Sequence, residues 1–118
     1  MSDRRRVLGA AGEAAVAAWY EAAGYEVLAR NWRCPTGELD LVLARGETLV
    51  FCEVKTRRSD AFGTPVEAVT TQKQRRLRAL AMRWLAESTP RRRALRFDVA
   101  SVRAAGATLA VEVVEGAF

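Results

Sequence analysis

The run of residues 48–56 constrains this chain more than any other. Leu49 and Phe51 alternate there with Val50, Cys52 and Val54, so both faces of an extended segment are apolar. Such a strand belongs in the middle of a sheet that is covered on both sides. It needs neighbouring strands to pair its backbone and helices above and below to bury its side chains. The same run carries Glu53 and Lys55, which are two positions apart and therefore share a face. Burying a charge costs several kcal/mol unless it is paired or holds an ion. Glu53 and Lys55 therefore form an ion pair, lie at an exposed strand end, or belong to a site.

Further elements follow on either side. Val16, Trp19, Tyr20 and Ala23 recur at helical spacing, which predicts a helix from about residue 9 to 23 with Gly24 as its stop. Residues 25–33 read as a strand, and Cys34-Pro35-Thr36-Gly37 as a turn. In the strand 38–44, Leu39, Leu41 and Leu43 alternate with Glu38, Asp40 and Val42. Arg45-Gly46-Glu47 marks a reversal before the central strand, and 57–65 reads as a polar loop. Thr71 with Gln74 has the form of a capping box opening a second helix to about residue 87. The apolar stripe of that helix is Leu77, Leu80, Ala81, Trp84 and Leu85. Two last strands, 95–102 and 108–114, are joined by a turn at Gly106. The expected class is α/β, a single domain spanning 1–118, with a mixed β-sheet and packed helices in the order α-β-β-β-α-β-β.

Composition narrows the chemistry. The chain has no histidine, which excludes a Ser-His-Asp triad and histidine-based zinc sites. Cys34 and Cys52 cannot close a four-cysteine zinc site, and Cys52 reads as a reduced core thiol. Carboxylates remain, and their oxygens suit magnesium or manganese. Arg4-Arg5-Arg6 and the apolar run after it have the outline of a signal peptide. Glu13 interrupts that run, however, and Trp19-Tyr20-Glu21 stands where cleavage would fall. No segment approaches a membrane span. A cytoplasmic protein without membrane contact is expected.

Asp40 extends the site reading. With Arg45-Gly46 as a two-residue hairpin loop, Asp40 is a diagonal, same-face neighbour of Glu53. A four-residue loop places it directly opposite, whereas a three-residue loop puts the two on opposite faces unless a bulge intervenes. Glu13 lies on the sheet-facing side of the first helix and adds a third carboxylate, unless the helix is rotated to leave it at the edge. Three carboxylates and a lysine around a hard cation suit phosphodiester hydrolysis. The ion would polarise a phosphoryl oxygen and acidify a bound water, with the lysine orienting that water or stabilising developing charge.

Three segments carry a resemblance: Gly12-Glu13, Gly37-Glu38-Leu39-Asp40-Leu41-Val42 and Phe51-Cys52-Glu53-Val54-Lys55-Thr56-Arg57. Together they resemble the YraN-like family of uncharacterised bacterial proteins. That family is similar to the restriction-endonuclease-like, PD-(D/E)XK superfamily and to archaeal Holliday-junction resolvases. The resemblance implies a restriction-endonuclease-like fold. It implies Asp40 and Glu53 as metal ligands, the Val54 carbonyl beside them, Lys55 as the catalytic lysine and Glu13 as the helix-borne acid. Lys73 would match a basic position at the start of the second helix. Leu39 stands where the superfamily has proline.

A separate signal is charge. Between Gln72 and Arg96 stand nine basic residues against Glu87 alone, a local charge of +8 in a chain of +5, so the remainder carries −3. Such asymmetry suits either a polyanion-binding face or a solvated helix. Arginine supplies nearly all of the positive charge, which fits either phosphate recognition or a GC-rich genome. The expected nucleic-acid contacts are Arg57, Arg58, Lys73, Arg75, Arg76 and Arg78. Trp84 and Asp98 read as structural. The reading is therefore a nucleic-acid-binding protein with a Mg²⁺- or Mn²⁺-dependent endonuclease-like site at Asp40, Glu53 and Lys55, acting on DNA or structured RNA. The rival reading keeps the fold and the binding but has no turnover. A basic scaffold that contacts ribosomes or acidic proteins is a third. Whether the chain forms a homodimer stays open.

Overall fold

A computed structural model describes residues 2–58, 69–88 and 94–118. The chain runs α1 (Ser2–Ala22), β1 (Glu26–Cys34), β2 (Gly37–Arg45), β3 (Thr48–Arg58), α2 (Thr71–Ser88), β4 (Ala94–Ala105) and β5 (Thr108–Val114). The strands form one five-stranded sheet in the order β1-β2-β3-β4-β5. Every neighbouring pair is antiparallel except β3 and β4. A parallel pair requires a crossover, and α2 lies within it. The α/β class and the element order expected from the sequence are both found.

Strand β3 is central and separates two cores. On one face Leu49 and Phe51 pack with Val42, Phe97, Val99 and the α2 stripe of Leu77, Leu80, Ala81 and Trp84. On the other, Val50 and Cys52 pack with Leu41, Leu43, Ala100, Val102 and the α1 residues Val16, Ala17 and Tyr20. This is the two-sided burial that the apolar run demanded. Leu39 departs from the alternation expected of β2. It joins the α2-side core, not that of Leu41 and Leu43.

Several boundaries shift for identifiable reasons. Helix α1 begins at Ser2 and not near residue 9, because the polar turn around Arg4 and Arg6 carries no apolar period to reveal it. Strand β3 continues through Arg58, so Arg57 and Arg58 are strand residues, each paired with β4. The rest of the expected polar loop, from residue 59, lies outside the described residues, as does the side chain of Arg58. Thr70, not Thr71, caps α2: its hydroxyl accepts from the Lys73 amide at 3.1 Å. Gln74 reaches back to the Val69 carbonyl at 3.2 Å. The one-residue shift makes Lys73 the third residue of the helix, held in its first turn. Among the described residues no helix is long and apolar enough to cross a membrane.

Two glycines place the site. Gly46 has φ 58° and opens a two-residue turn, Gly46-Glu47, closed by the pair Arg45↔Thr48. The turn lies one residue later than expected, and this fixes the register. Gly12, on α1, is buried against β3, and a Cβ there would collide with the Thr56 side chain. The helix can approach the end of β3 only because this position has no side chain.

Candidate active site

The ladder between β2 and β3 pairs Arg45↔Thr48 through Leu41↔Cys52. It stops one residue short of Asp40 and Glu53, which a continued register would set opposite each other, as the four-residue-loop alternative does. Here a side chain takes over from the backbone: the Val54 amide donates to Asp40 Oδ2 at 2.9 Å. Asp40 is buried at 9% exposure. A carboxylate so placed has lost most of its water, and one amide hydrogen bond replaces little of it.

Glu53 projects from β3 on the face of Leu49 and Phe51, toward α2. Lys73 of α2 meets Glu53 Oε1 at 3.0 Å, and Lys55 lies 3.7 Å from the same oxygen. These are the only two lysines in the chain. Asp40 and Glu53 also line a small cleft with Leu39, Phe51, Leu77 and Phe97. The result is two adjacent carboxylates and two ammonium groups on a largely apolar floor.

The electrostatics follow from burial. Desolvation, then the negative charge of Glu53, pushes the Asp40 carboxyl up to about 7, and the Val54 amide only partly opposes this. Burial lowers the Lys55 pKa, and the neighbouring Lys73 ammonium lowers it further. For Lys73, burial lowers the pKa, but the hydrogen bond and negative charge of Glu53 oppose it and prevail, so its pKa is raised.

Glu13 occupies the other layer. It is borne by α1, which packs on the face opposite Glu53. Its pKa is raised, first by burial, against a hydrogen bond from the Asn31 side chain and with further raising by the charges of Glu38 and Glu53. It is near enough to influence Asp40 electrostatically. Yet among the described residues no three carboxylate or cysteine side chains converge as a ready metal cage. Asp40 and Glu53 supply the hard oxygen donors that magnesium or manganese prefers, and a cation would relieve the raised Asp40 carboxyl. Those two residues fit an ion that completes its shell with water. Glu13 does not join them in this arrangement.

The basic residues divide. Arg75 and Arg76 are exposed on α2. Arg78 lies over the Phe97 ring at 4.7 Å and the Phe118 ring at 5.5 Å. At about 100° per residue, Arg75, Arg76 and Arg78 fan around the helix instead of forming one stripe. Lys73, read from sequence as a nucleic-acid contact, is committed to Glu53. Arg96, counted in the basic segment, is held by Asp98 at 2.9 Å. Arg91, Arg92 and Arg93 lie outside the described residues. Arg57 shares the Glu53 and Lys55 face by strand parity. Sequence reasoning missed both the Lys73–Glu53 pair, for which no local pattern exists, and the Arg96–Asp98 pair, which an i, i+2 reading along β4 would have revealed.

The raised Asp40 carboxyl gives a pH prediction for the metal-free protein. A folded-state pKa above the unfolded value of 3.8 means that stability is full below about pH 4 and falls as pH rises through about 7. Melting temperature should therefore decline between pH 5 and pH 8. Asp40→Asn should remove most of the decline, with Glu13 supplying a remainder of the same sign. A wild-type slope retained in Asp40→Asn would mean that another group causes it.

The chain matches the family described as "Uncharacterised protein family UPF0102" over residues 12–102. A UPF0102 protein of Beutenbergia cavernae is 61% identical over 95 residues, covering 80% of each chain. One of Moorella thermoacetica is 48% identical over 124 residues, covering 100% of both. A third, of Frankia casuarinae, is 50% identical over 112 residues, covering 94% of this chain and 95% of the relative.

Proposed function

The chain belongs to the uncharacterised bacterial family UPF0102, and from that premise we propose that it is a nucleic-acid-binding protein with a divalent-metal-dependent phosphodiesterase site. One observation carries the reading: two carboxylates and both lysines of the chain gather where the β2–β3 ladder gives way to the Asp40 side chain. Asp40 and Glu53 would hold Mg²⁺ or Mn²⁺. The ion would supply Lewis acidity toward a phosphoryl oxygen and a water of lowered pKa. The Lys55 ammonium lies beside Glu53, where it can donate to the attacking water or to a phosphoryl oxygen as charge develops. The low-dielectric floor of Phe51, Leu77 and Phe97 strengthens each of these interactions.

The substrate class proposed is DNA or structured RNA. The support is the basic excess of the α2 region and of Arg57 beside the site. Affinity should fall steeply with salt as phosphate contacts release counterions. Arg75 and Arg76 are both exposed on α2, and replacing both by alanine should flatten the slope of log affinity against log salt by about 1 to 2. Titration of duplex, flap and four-way DNA at several salt concentrations measures it. An unchanged slope would place the nucleic-acid face elsewhere.

A second reading, a binding module without turnover, is favoured by one specific observation. Glu53 is already neutralised by two lysines, and a carboxylate satisfied in this way does not require a metal.

A further inference from the structure

We propose that Lys73 is a displaceable internal cation: its ammonium occupies Glu53 until a divalent ion binds, and then withdraws toward substrate phosphate. The inference rests on the metal-site reading above and adds a residue to it. Lys73 thereby becomes a positioning residue that couples metal loading to nucleic-acid binding.

The observations are geometric. Lys73 Nζ lies 3.0 Å from Glu53 Oε1, closer than Lys55 at 3.7 Å, and the two ammonium groups share that one oxygen. Lys73 reaches it from a different layer of the fold, and its backbone is fixed by the Thr70 cap. The Glu53 side chain is 12% exposed and that of Lys73 22%, so the pair is shielded but not sealed.

Residue choice supports displacement. Of the 19 basic residues, all but Lys55 and Lys73 are arginines, yet both lysines stand at this carboxylate. Arginine binds a carboxylate through a rigid two-pronged fork. Lysine is a point charge on a flexible stem, which can swing away without breaking a bidentate lock. A purely structural clamp in an arginine-rich chain has no such requirement. Two cations cannot share one carboxylate at full strength, so Lys73 must weaken metal binding and metal must loosen Lys73. By linkage, nucleic-acid phosphates that attract Lys73 away from Glu53 must tighten metal binding.

The test measures Mn²⁺ affinity, without any assay of activity, for wild type, Lys73→Gln and Lys73→Arg, each with and without duplex DNA. Lys73→Gln should bind Mn²⁺ roughly tenfold more tightly or better, since one competing charge is gone at short range. DNA should tighten Mn²⁺ binding to wild type and have little effect in Lys73→Gln. Lys73→Arg, which retains the competing charge, should not share the gain. Lys73→Gln affinity equal to or weaker than wild type would overturn the proposal and leave the metal site standing. No Mn²⁺ binding by any of the three proteins would overturn both. A second measurement avoids variants altogether. With only two lysines, ¹⁵N-lysine-labelled wild type gives two ammonium signals, and saturating Mg²⁺ should shift that of Lys73. An unmoved Lys73 signal in Mg²⁺-bound protein would also overturn the proposal.

Discussion

Replacing Asp98 by alanine should destabilise the protein by about 3 to 5 kcal/mol, the usual cost of breaking a buried ion pair from one side. Asp98 is fully buried. Its carboxylate accepts from the Tyr20 hydroxyl at 2.6 Å, from Arg96 Nε and an Arg96 terminal nitrogen at 2.9 Å each, and from the Gly116 amide at 3.0 Å. These contacts join α1, β4 and the segment after β5. The other end of the cluster is tied as well, because the Arg96 guanidinium also donates to the Tyr25 hydroxyl at 2.9 Å. Alanine would leave Arg96 and the Tyr20 hydroxyl without their common partner inside the fold. Asp98→Asn, similar in shape but uncharged, should cost less. Urea denaturation measures both through the midpoint at unchanged slope. A loss below about 1 kcal/mol in Asp98→Ala would show that the cluster is not a structural lock.

Lys55→Ala should have the opposite profile, with little effect on the fold and a large effect on turnover. Were Lys55 the sole partner of Glu53, its removal would strand an unpaired buried charge. Lys73 changes that expectation, because at 3.0 Å it continues to neutralise the carboxylate. Stability should therefore change by no more than about 1 kcal/mol. Cleavage should fall roughly a hundredfold or more, the scale on which removal of one preorganised electrostatic group is felt in the transition state. Mn²⁺ and nucleic acid should still bind. The comparison needs melting curves, Mn²⁺ titration and single-turnover rates on one preparation. A well-folded Lys55→Ala protein that cleaves at the wild-type rate would remove Lys55 from the chemistry.

The parts legible in the sequence were those set by local pattern. The doubly apolar run of β3 announced a central strand, and Glu53 and Lys55 stood out because they interrupt it. The relation of Asp40 to Glu53 was visible only as a set of registers. The choice rested on which residues form the turn, and Gly46-Glu47 was adopted where Arg45-Gly46 was expected. What stayed hidden depends on contacts distant in sequence. Lys73 and Glu53 are brought together by the packing of α2 on the sheet, and no periodicity encodes that meeting. The charge of the basic segment likewise includes Arg96 and Lys73, although each is paired with a carboxylate. Glu13 was correctly placed on α1, but which layer it serves depends on which face of the sheet α1 covers. Composition and helix period do not determine that.

If Asp40, Glu53 and Lys55 form a working phosphodiesterase site, wild-type protein should cut nucleic acid only when a divalent metal is present. The most direct test is a cleavage screen of wild-type protein over duplex, single-stranded, flap and four-way DNA and structured RNA, with Mg²⁺ or Mn²⁺ and with chelator, alongside Lys55→Ala. The expected result is metal-dependent cutting of at least one substrate by wild type and its loss in Lys55→Ala. Absence of cutting by metal-binding, nucleic-acid-binding wild type across the whole screen would refute that site and leave a nucleic-acid-binding module on this mixed α/β fold.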